Sequence, residues 1–568
     1  MCRLVEPPSL LPAIPAMRTC RFVVILWIGI LCGLSSPDRS VTRAEELLSA
    51  SSDLPEAVDH YVQERLDRYG IEPAPIADWQ TVLRRTSLDL AGRIPTAAEY
   101  EWAERLPESD RRLAIVEHLM SLSDFDFHLR NSLDELLLAN NPHNGEFRDY
   151  LLWAVRSRRP WDQIFRDLMA ASSTDGPEKG AVHFLRSRVR QLDDLTNDTA
   201  ILFFGVNVAC AKCHDHPLVD QWQQDHFYGM QAFFSRTFMT RRNVITERPF
   251  GSVKFKSTAG EEKTASFTFL TGAAAEDKSP SFSDDERKRL EEQLRKMEQN
   301  ENTGYVLFPD FSPRRELVEL ALQDAEDRFF AKNIVNRTWQ RLMGLGLVDP
   351  PDQMHAANPP SHPELMDWLT RDLVEHRYDL RRLVRGIVLS DAYARSSRWA
   401  SSDTPPSPST FALAATKPLT PRQLATSLLV AARAPQTDPL DANSDASPWG
   451  RLRNDLENQA GGWVREFEYP TDPFQVAVDE ALFFSNNERV QNDLLRDAND
   501  WLVGRLKATE SDEELIRTLW IHVLTRQPDD EELATAQAWL SRDSTERFDS
   551  IRSLTWALLA GPEARFNR

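Results

Sequence analysis

The chain has 568 residues, of which 41% are apolar and 27% are charged, so it can bury a sizeable core, and this composition argues against wholesale disorder. Glycine is scarce, with 21 residues, which disfavours turn-rich β architectures and favours helices. The 87 acidic residues outnumber the 67 basic ones and give a formal charge of −20; this argues against nucleic acid as a partner, because such binding depends on Lys and Arg neutralising phosphates.

Residues 1–44 differ in character from the rest of the chain. Arg18 and Arg21 precede an apolar run at residues 22–34, and small residues follow it. A membrane-spanning helix needs about 20 apolar residues, so this shorter run predicts a secretory signal peptide, with a retained N-terminal membrane anchor as the alternative. We therefore expect an exported protein of the periplasm or cell envelope, which contacts a membrane only if the segment is retained.

Residues 53–240 have a helical pattern almost throughout and are predicted to form a first helical domain. Gly70 is the expected C-cap of its first helix, and Thr96 and Glu99 have the spacing of a capping box. The apolar positions that predict the first helix are Val58, Tyr61, Val62 and Leu66. The predicted core face of a later helix consists of Leu113, Val116, Leu119 and Met120.

Residues 241–311 change in pattern and are predicted to connect two helical domains. Apolar and polar residues alternate around Phe255 and again around Phe267, and Gly260 lies between the two runs. This pattern predicts a β-hairpin that pairs the two runs. Residues 283–300 are predicted to form a capped, heavily charged helix that lies on the surface.

Residues 312–568 are predicted to form a second helical domain that begins at Ser312 and Pro313. A stretch rich in Ser, Thr and Pro at residues 397–421 interrupts it as a loop. The predicted fold is therefore mainly α, with two helical domains and a small β-hairpin and charged-helix insert between them.

The central motif of the chain is C-x-x-C-H, formed by Cys210, Cys213 and His214. Outside the leader these are the only two cysteines of the sequence. This spacing is typical of covalent haem attachment, in which both sulfurs form thioethers with the porphyrin and the adjacent imidazole is the proximal iron ligand. Predicted export agrees with this interpretation, since haem c is attached outside the cytoplasm.

Two other interpretations of the motif remain open. Cys210 and Cys213 together with His216 and His226 provide four ligands of the kind that bind zinc tetrahedrally. The two cysteines are also free to form a disulfide in an oxidising compartment. The candidate metal ligands among the histidines are therefore His214, for haem iron, and His216 and His226, for zinc.

Further residues near the motif are candidates for contacts with a haem. His226, Met230 and Met239 are candidates for a sixth iron ligand, and Asp215 for accepting a hydrogen bond from an imidazole. Aromatic residues that follow the motif suit either a haem wall or a simple core; they are Trp222, Phe227, Tyr228, Phe233 and Phe234.

Several motifs resemble a known pair of families. The first domain resembles the planctomycete secreted cytochrome-like family, catalogued as domain of unknown function 1549, in its Asn197–Ala200 run, its CAKCHDHP segment and its FYG and AFF triplets. The second resembles the partner family 1553 in Asn333, Val335 to Arg337 and the PPSHPEL segment at residues 359–365. This resemblance implies a c-type cytochrome whose reaction is unassigned.

Arg337 and His362 match the pattern of the partner family and are candidate contacts for a haem propionate or an acidic substrate. A guanidinium binds carboxylates bidentately, although an interhelical salt bridge or helix cap is the alternative for Arg337. Ser361 and Glu364 have the spacing of another capping box.

The sequence thus predicts an exported c-type haem protein that transfers electrons, or oxidises or reduces an unknown substrate, outside the cytoplasm. Its partner is then a redox protein or an envelope substrate. The alternative is a cell-envelope binding or scaffold protein in which the C-x-x-C-H region holds zinc or a disulfide. A hydrolase is a more distant third, because paired carboxylates cannot be picked out among 87 acidic residues.

Overall fold

Helices form most of the structure, which confirms the predicted mainly α fold. The structure is a computed structural model that describes residues 47–138, 145–170, 176–215, 219, 222–299, 309–400, 404–434, 446–467, 478–542 and 547–568. The predicted leader at residues 1–44 lies outside these residues. Within them, no helix combines the length and the apolar character that crossing a membrane requires.

The first part of the chain is a series of helices that ends just beyond the cysteine pair. They are α1 (Leu54–Tyr69), α2 (Trp79–Ala91), α3 (Ala97–Arg105), α4 (Glu108–Ser121), α5 (Ser123–Leu138), α6 (Gly145–Arg156), α7 (Trp161–Ala170), α8 (His183–Arg186), α9 (Leu192–Thr199) and α10 (Gln224–Phe234). Two short 3-10 helices at Pro177–Val182 and Ala209–Lys212 and one π turn at Ala200–Phe204 lie among them.

The ends of these helices follow from local sequence chemistry. Gly70 terminates α1 at φ 63°, a left-handed conformation that favours glycine. Thr96 and Glu99 form the predicted capping box at the start of α3. The predicted core face of α4 is partly wrong: Val116 and Leu119 are buried, but Leu113 is 48% exposed, because the helix turns the adjacent face towards the core.

Short antiparallel strand pairs make up the segment between the two helical parts. They are β1 (Thr237–Met239) with β2 (Ile245–Glu247), β3 (Lys254–Lys256) with β4 (Glu262–Thr264), and β5 (Phe267–Thr268) with β6 (Ala274–Ala275). The predicted pairing of the Phe255 run with the Phe267 run is wrong. The turn at Gly260 is tight, so β3 pairs with the polar strand β4, and Phe267 pairs instead with Ala275.

The predicted charged helix of this segment is α11 (Asp284–Gln299). It is not merely a solvated surface helix, because Leu294 and Met297 are buried against Phe238 of β1. A narrow apolar stripe is therefore enough to fix a highly charged helix to the fold.

The remaining helices begin at Pro313, where the second helical block was predicted to begin, and Ser312 is the N-cap. They are α12 (Pro313–Gln323), α13 (Phe329–Met343), α14 (Pro363–Glu375), α15 (Leu380–Leu389), α16 (Asp391–Ala394), α17 (Pro421–Arg433), α18 (Pro448–Trp463), α19 (Val478–Asn486), α20 (Leu502–Ala508), α21 (Asp512–Leu524), α22 (Asp530–Leu540) and α23 (Arg547–Ala560). Strands β7 (Lys417–Pro418) and β8 (Phe566–Asn567) pair antiparallel and place Asn567 beside Lys417.

Residues from both parts of the chain share one core, and residues 48–568 form one compact unit. Leu88 and Ile94, from the beginning of the chain, belong to the same apolar cluster as Leu428 of α17 and Leu519 of α21. Residues more than 300 positions apart in sequence therefore contribute to a single buried surface.

A buried carboxylate adds a polar link between the two parts. Glu457 of α18 accepts hydrogen bonds from Arg130 (2.7 Å) and Arg148 (3.0 Å) of the first part, and from Arg422 (2.9 Å) and Arg453 (3.2 Å) of the second. Burial alone would raise the pKa of this carboxyl, but the four guanidiniums outweigh it and lower the pKa to about 2.

Asp124 of α5 forms a second buried polar link. It accepts from Arg93 (2.6 Å) and from the indole N–H of Trp449 (2.8 Å), and it lies 3.2 Å from the guanidinium of Arg453. Arg453 thus joins the two carboxylates, so the links at Asp124 and Glu457 form one network.

We expect Glu457→Gln to lower the free energy of unfolding at pH 7 by roughly 3–5 kcal/mol, because an uncharged amide leaves the buried guanidiniums of Arg130 and Arg422 without their paired carboxylate and takes one of two carboxylates from Arg148 and Arg453. The folded-state pKa is depressed, so the stabilisation is present above the unfolded value near 4.5 and is lost as the pH falls towards 2. The difference in the free energy of unfolding between variant and parent should therefore shrink as the pH falls from about 4.5 towards 2. Urea unfolding followed by circular dichroism at several pH values measures it.

The matched control is Glu291→Gln on α11, which removes an exposed ion pair with Arg287 and should change stability by less than about 0.5 kcal/mol. A Glu457→Gln protein as stable as the control at pH 7, or equally destabilised at every pH, would contradict the role assigned to Glu457.

Candidate functional site

Cys210 lies in a short 3-10 helix, Ala209–Lys212, and Cys213 is the C-cap of that helix. The helix follows the π turn at the end of α9. Cys210 and Cys213 are both exposed and both free thiols. Between them Ala211 is fully buried and anchors the turn in the core. The local backbone therefore presents both sulfurs on the surface within a single turn.

Side chains of the first part hold this turn at its C-terminal end. Lys212 forms an ion pair with Asp193 of α9 at 2.6 Å. The backbone carbonyl of Lys212 accepts hydrogen bonds from the amide of Gln224 and from the hydroxyl of Tyr228, each at 3.2 Å. Two helices, α9 and α10, thus fix the position of Lys212, the residue immediately before Cys213.

Backbone from the second part holds the segment that leads into the turn. The N–H of Asn207 donates to the carbonyl of Asp352 at 3.0 Å, and the N–H of Met354 donates to the carbonyl of Gly205 at 2.9 Å. Val206 and Gln353 form an antiparallel bridge between these two contacts. Residues 352–354 therefore pair with residues 205–207 as a short piece of β ladder, directly before the cysteine pair.

The connector contributes a third support beside the turn. Phe255 of β3 stacks on Tyr228 with ring centroids 4.1 Å apart, and the N–H of Thr258 donates to the side chain of Gln224 at 2.8 Å. The β3–β4 hairpin thus packs on the beginning of α10, next to the residues that hold Lys212.

His214 is exposed, and its ring is oriented by a hydrogen bond. Its Nδ1 lies 2.7 Å from the carbonyl oxygen of Asp215; since a carbonyl only accepts, Nδ1 is the protonated nitrogen. The lone pair is then on Nε2, which is the nitrogen that a metal binds when Nδ1–H donates to the backbone. Asp215 accepts the imidazole hydrogen bond as predicted, but through its backbone and not its carboxylate.

The other predicted metal ligands are distributed differently. Nδ1 of His226 accepts the N–H of Gln223 at 3.2 Å and so caps α10, and burial lowers the pKa of His226. Met230 is fully buried, Met239 pairs with Ile245 between β1 and β2, and His216 lies outside the described residues. Within the described ranges, no three His, Cys, Asp or Glu side chains gather closely enough to hold a metal ion.

Four of the five aromatic residues that follow the motif belong to the core, and the fifth, Tyr228, is half-buried. Trp222, Phe227, Phe233 and Phe234 are all buried, and Trp222 meets the ring of His355 edge-on at 5.8 Å. Of the two interpretations of this stretch, the structure therefore favours the core over a haem wall.

Arg337 of α13 lies against the turn that precedes the cysteines. Its Nη2 donates to the carbonyl of Ile201 at 2.9 Å and its Nε to the side chain of Asn333 at 3.1 Å. Asn333 in turn donates to the carbonyl of Leu202 at 2.7 Å. Arg337 and Asn333 thus bind the carbonyls of the π turn, and Arg337 acts as a positioning residue for the segment leading to Cys210.

His362 is buried at the start of α14. Its Nδ1 lies 3.1 Å from the hydroxyl of Ser361, and its ring packs on Phe411 at 5.3 Å. Burial lowers the pKa of His362 to about 3, so the ring is neutral. The predicted capping box of Ser361 and Glu364 is wrong, because His362 is the N-cap of α14 and its side chain makes no capping hydrogen bond.

Sequence reasoning missed two contributors to this site. One is the ladder formed by residues 352–354, which carries no motif of its own. The other is the close packing of Gly205, which has φ 69° and where a Cβ would lie 3.0 Å from the side chain of Asn333. Asn333 belongs to the family motifs quoted above, and that was the available signal in the sequence.

Two family models match the chain in succession. Residues 57–238 match the model described as PSCyt2, a protein of unknown function (DUF1549). Residues 313–459 match the model described as PSD1, a protein of unknown function (DUF1553). Their order is the one that the sequence motifs predicted. Comparison with curated proteins and with solved structures gave no match.

Because both thiols are exposed on one turn, we expect iodoacetamide to alkylate Cys210 and Cys213 in the folded, haem-free and reduced protein. Mass spectrometry of the peptide that contains both cysteines should show two added groups. The same reaction after denaturation gives the reference for complete labelling. Protection of either cysteine until the protein is unfolded would contradict the exposed placement.

Proposed function

We propose, on the premise that this chain contains a DUF1549 domain at residues 57–238 followed by a DUF1553 domain at residues 313–459, that it is an exported c-type haem protein. Cys210, Cys213 and His214 hold one covalent haem, and the protein transfers electrons outside the cytoplasm. The observation that carries the proposal is the placement of two free, exposed thiols and an adjacent exposed imidazole on a single turn.

The donor set fits the chemistry of haem attachment. Cys210 and Cys213 would hold the group: each thiol would add across one vinyl group, forming a C–S bond with the thiol proton passing to the vinyl carbon, which needs no oxidant. The tautomer of His214 leaves Nε2 with the lone pair that an iron ligand requires. Bound there, haem would supply a one-electron couple between ferric and ferrous iron.

The chain's own contribution is to hold the attachment turn in place. The backbone at residues 205–207 is paired with residues 352–354, and the carbonyl of Lys212 is held by Gln224 and Tyr228. The turn is therefore fixed at both ends while its sulfurs stay at the surface. This supports a role for the DUF1553 domain in positioning the turn.

Export completes the proposal and rests on the leader sequence. The apolar run at residues 22–34 after two arginines is typical of a secretory signal. Haem c is assembled outside the cytoplasm, so export and the motif support each other.

The test is expression of the full chain in a host that exports it and has a haem c maturation system. We expect an intact mass increased by one haem, and haem absorption bands that survive acid–acetone extraction. Cys210→Ala and Cys213→Ala should each leave at most one thioether, and the double variant should carry no covalent haem. His226→Ala is the matched control and should keep full loading, because His226 caps a helix.

Colourless protein despite competent maturation would overturn the proposal. Colourless protein with stoichiometric zinc would instead support the binding or scaffold alternative. Iron bound without a covalent porphyrin would contradict both.

A further inference from the structure

A second polar site lies away from the cysteine turn, where α2, α5, α13, α17 and the β7–β8 pair meet. It is a cavity of about 240 Å³. Four cationic and two anionic side chains line it, namely Arg341, Lys417, Arg422, Arg453, Asp89 and Glu135. Neither cysteine of the motif nor His214 is part of this lining, so the cavity is separate from the proposed haem site.

Three of the four cations are neutralised by carboxylates. Nζ of Lys417 lies 2.9 Å from both oxygens of Asp89 and also donates to two backbone carbonyls. Arg422 and Arg453 donate to Glu457 behind the cavity wall. These contacts account for the charges of Lys417, Arg422 and Arg453.

Arg341 differs from the other three. Its side-chain contact is with a neutral group, the hydroxyl of Ser132, at 3.2 Å from Nη1. Among the described residues no carboxylate lies within 4 Å of its guanidinium; Asp89 and Glu135 act on it only at longer range. Burial accordingly lowers the pKa of Arg341, and the charge of Arg341 also helps to lower the pKa of His128 in the same lining to about 3, after burial itself.

Two further polar atoms of the lining have no partner among the described residues. They are the hydroxyl oxygen of Thr426 and the amide oxygen of Asn567, and both side chains are almost fully buried. Buried polar groups are normally hydrogen-bonded, and leaving one unsatisfied costs about 1–3 kcal/mol. The cavity thus offers a positive charge, a hydroxyl donor and an amide acceptor that the chain itself does not satisfy.

We propose that this cavity binds a small oxyanion that also carries a hydroxyl group, with Arg341 as its charged contact. Hydrogen phosphate and 2-hydroxycarboxylates share this chemistry: their oxyanion matches the planar guanidinium, the hydroxyl of Thr426 donates to it, and their own hydroxyl donates to Asn567. Acetate and sulfate lack that hydroxyl at neutral pH.

A neighbouring cavity of about 280 Å³, with a largely aliphatic lining, adjoins this site. Ser132 and Arg341 line both cavities. Their hydrogen bond therefore lies on the boundary between the two cavities.

The experiment is isothermal titration calorimetry of the full chain with four probes: inorganic phosphate, glycolate, acetate and sulfate. We expect phosphate or glycolate to bind, and acetate and sulfate to bind at least tenfold more weakly. If phosphate binds more tightly than glycolate, the oxyanion is a phosphate; if glycolate binds more tightly, it is a 2-hydroxycarboxylate. Because the cysteines are not in the lining, haem-free and haem-loaded protein should give the same result, which keeps this proposal independent of the proposed function.

Arg341→Gln should weaken binding at least tenfold. Thr426→Val should weaken binding several-fold. It should not lower the melting temperature, because the hydroxyl that it removes has no partner among the described residues. This variant keeps the test decisive if Arg341→Gln does not fold. Arg289→Gln on the exposed surface of α11 is the matched control and should bind as the parent does. No binding of phosphate or glycolate, equal binding of all four probes, or binding unaffected by both cavity variants would overturn the proposal.

Discussion

One buried carboxylate, Glu457, fixes how the two parts of this chain meet. It accepts from Arg130 and Arg148 of the DUF1549 segment and from Arg422 and Arg453 of the DUF1553 segment. Removing charges from water is costly, and the cost is recovered only when each group finds its partners in good geometry. Arg453 lies on the same helix as Glu457, but the other three guanidiniums come from α5, α6 and α17. Few relative placements of these helices and α18 bring all three to one carboxylate, so the network restricts how the two parts pack.

The position of the cysteine turn depends on that packing. Residues 352–354 reach residues 205–207 only if α13 and the loop after it lie against the end of α9, where Arg337 and Asn333 also bind the carbonyls of the π turn. The turn therefore belongs to both segments. The same packing encloses the polar cavity, because Asp89 comes from the first segment and Arg341, Lys417 and Arg422 come from the second.

Local signals in the sequence predicted local structure well. The C-cap at Gly70, the capping box at Thr96 and the start of the helical block at Ser312 and Pro313 each depend on residues within one helical turn. The capping box at Ser361 failed although its pattern is equally good, since the helix begins one residue later, at the proline after His362. The hairpin failed because alternation identifies strands but not their partners, and the tight turn at Gly260 decided the pairing.

What the sequence could not predict is the long-range polar network and the sites it creates. Glu457 is one of 87 acidic residues, and no neighbour within its own helix turn reveals that guanidiniums 35 and 327 positions away will converge on it. The C-x-x-C-H motif was recognisable because its chemistry is contained in five consecutive residues. The oxyanion cavity has no such motif: Arg341 stands out only because the three-dimensional structure shows which cations are already paired. Among the described residues the partly buried guanidinium of Arg341 has no carboxylate within ion-pair distance, which is unfavourable, and this is why we propose it as the position of a ligand's charge.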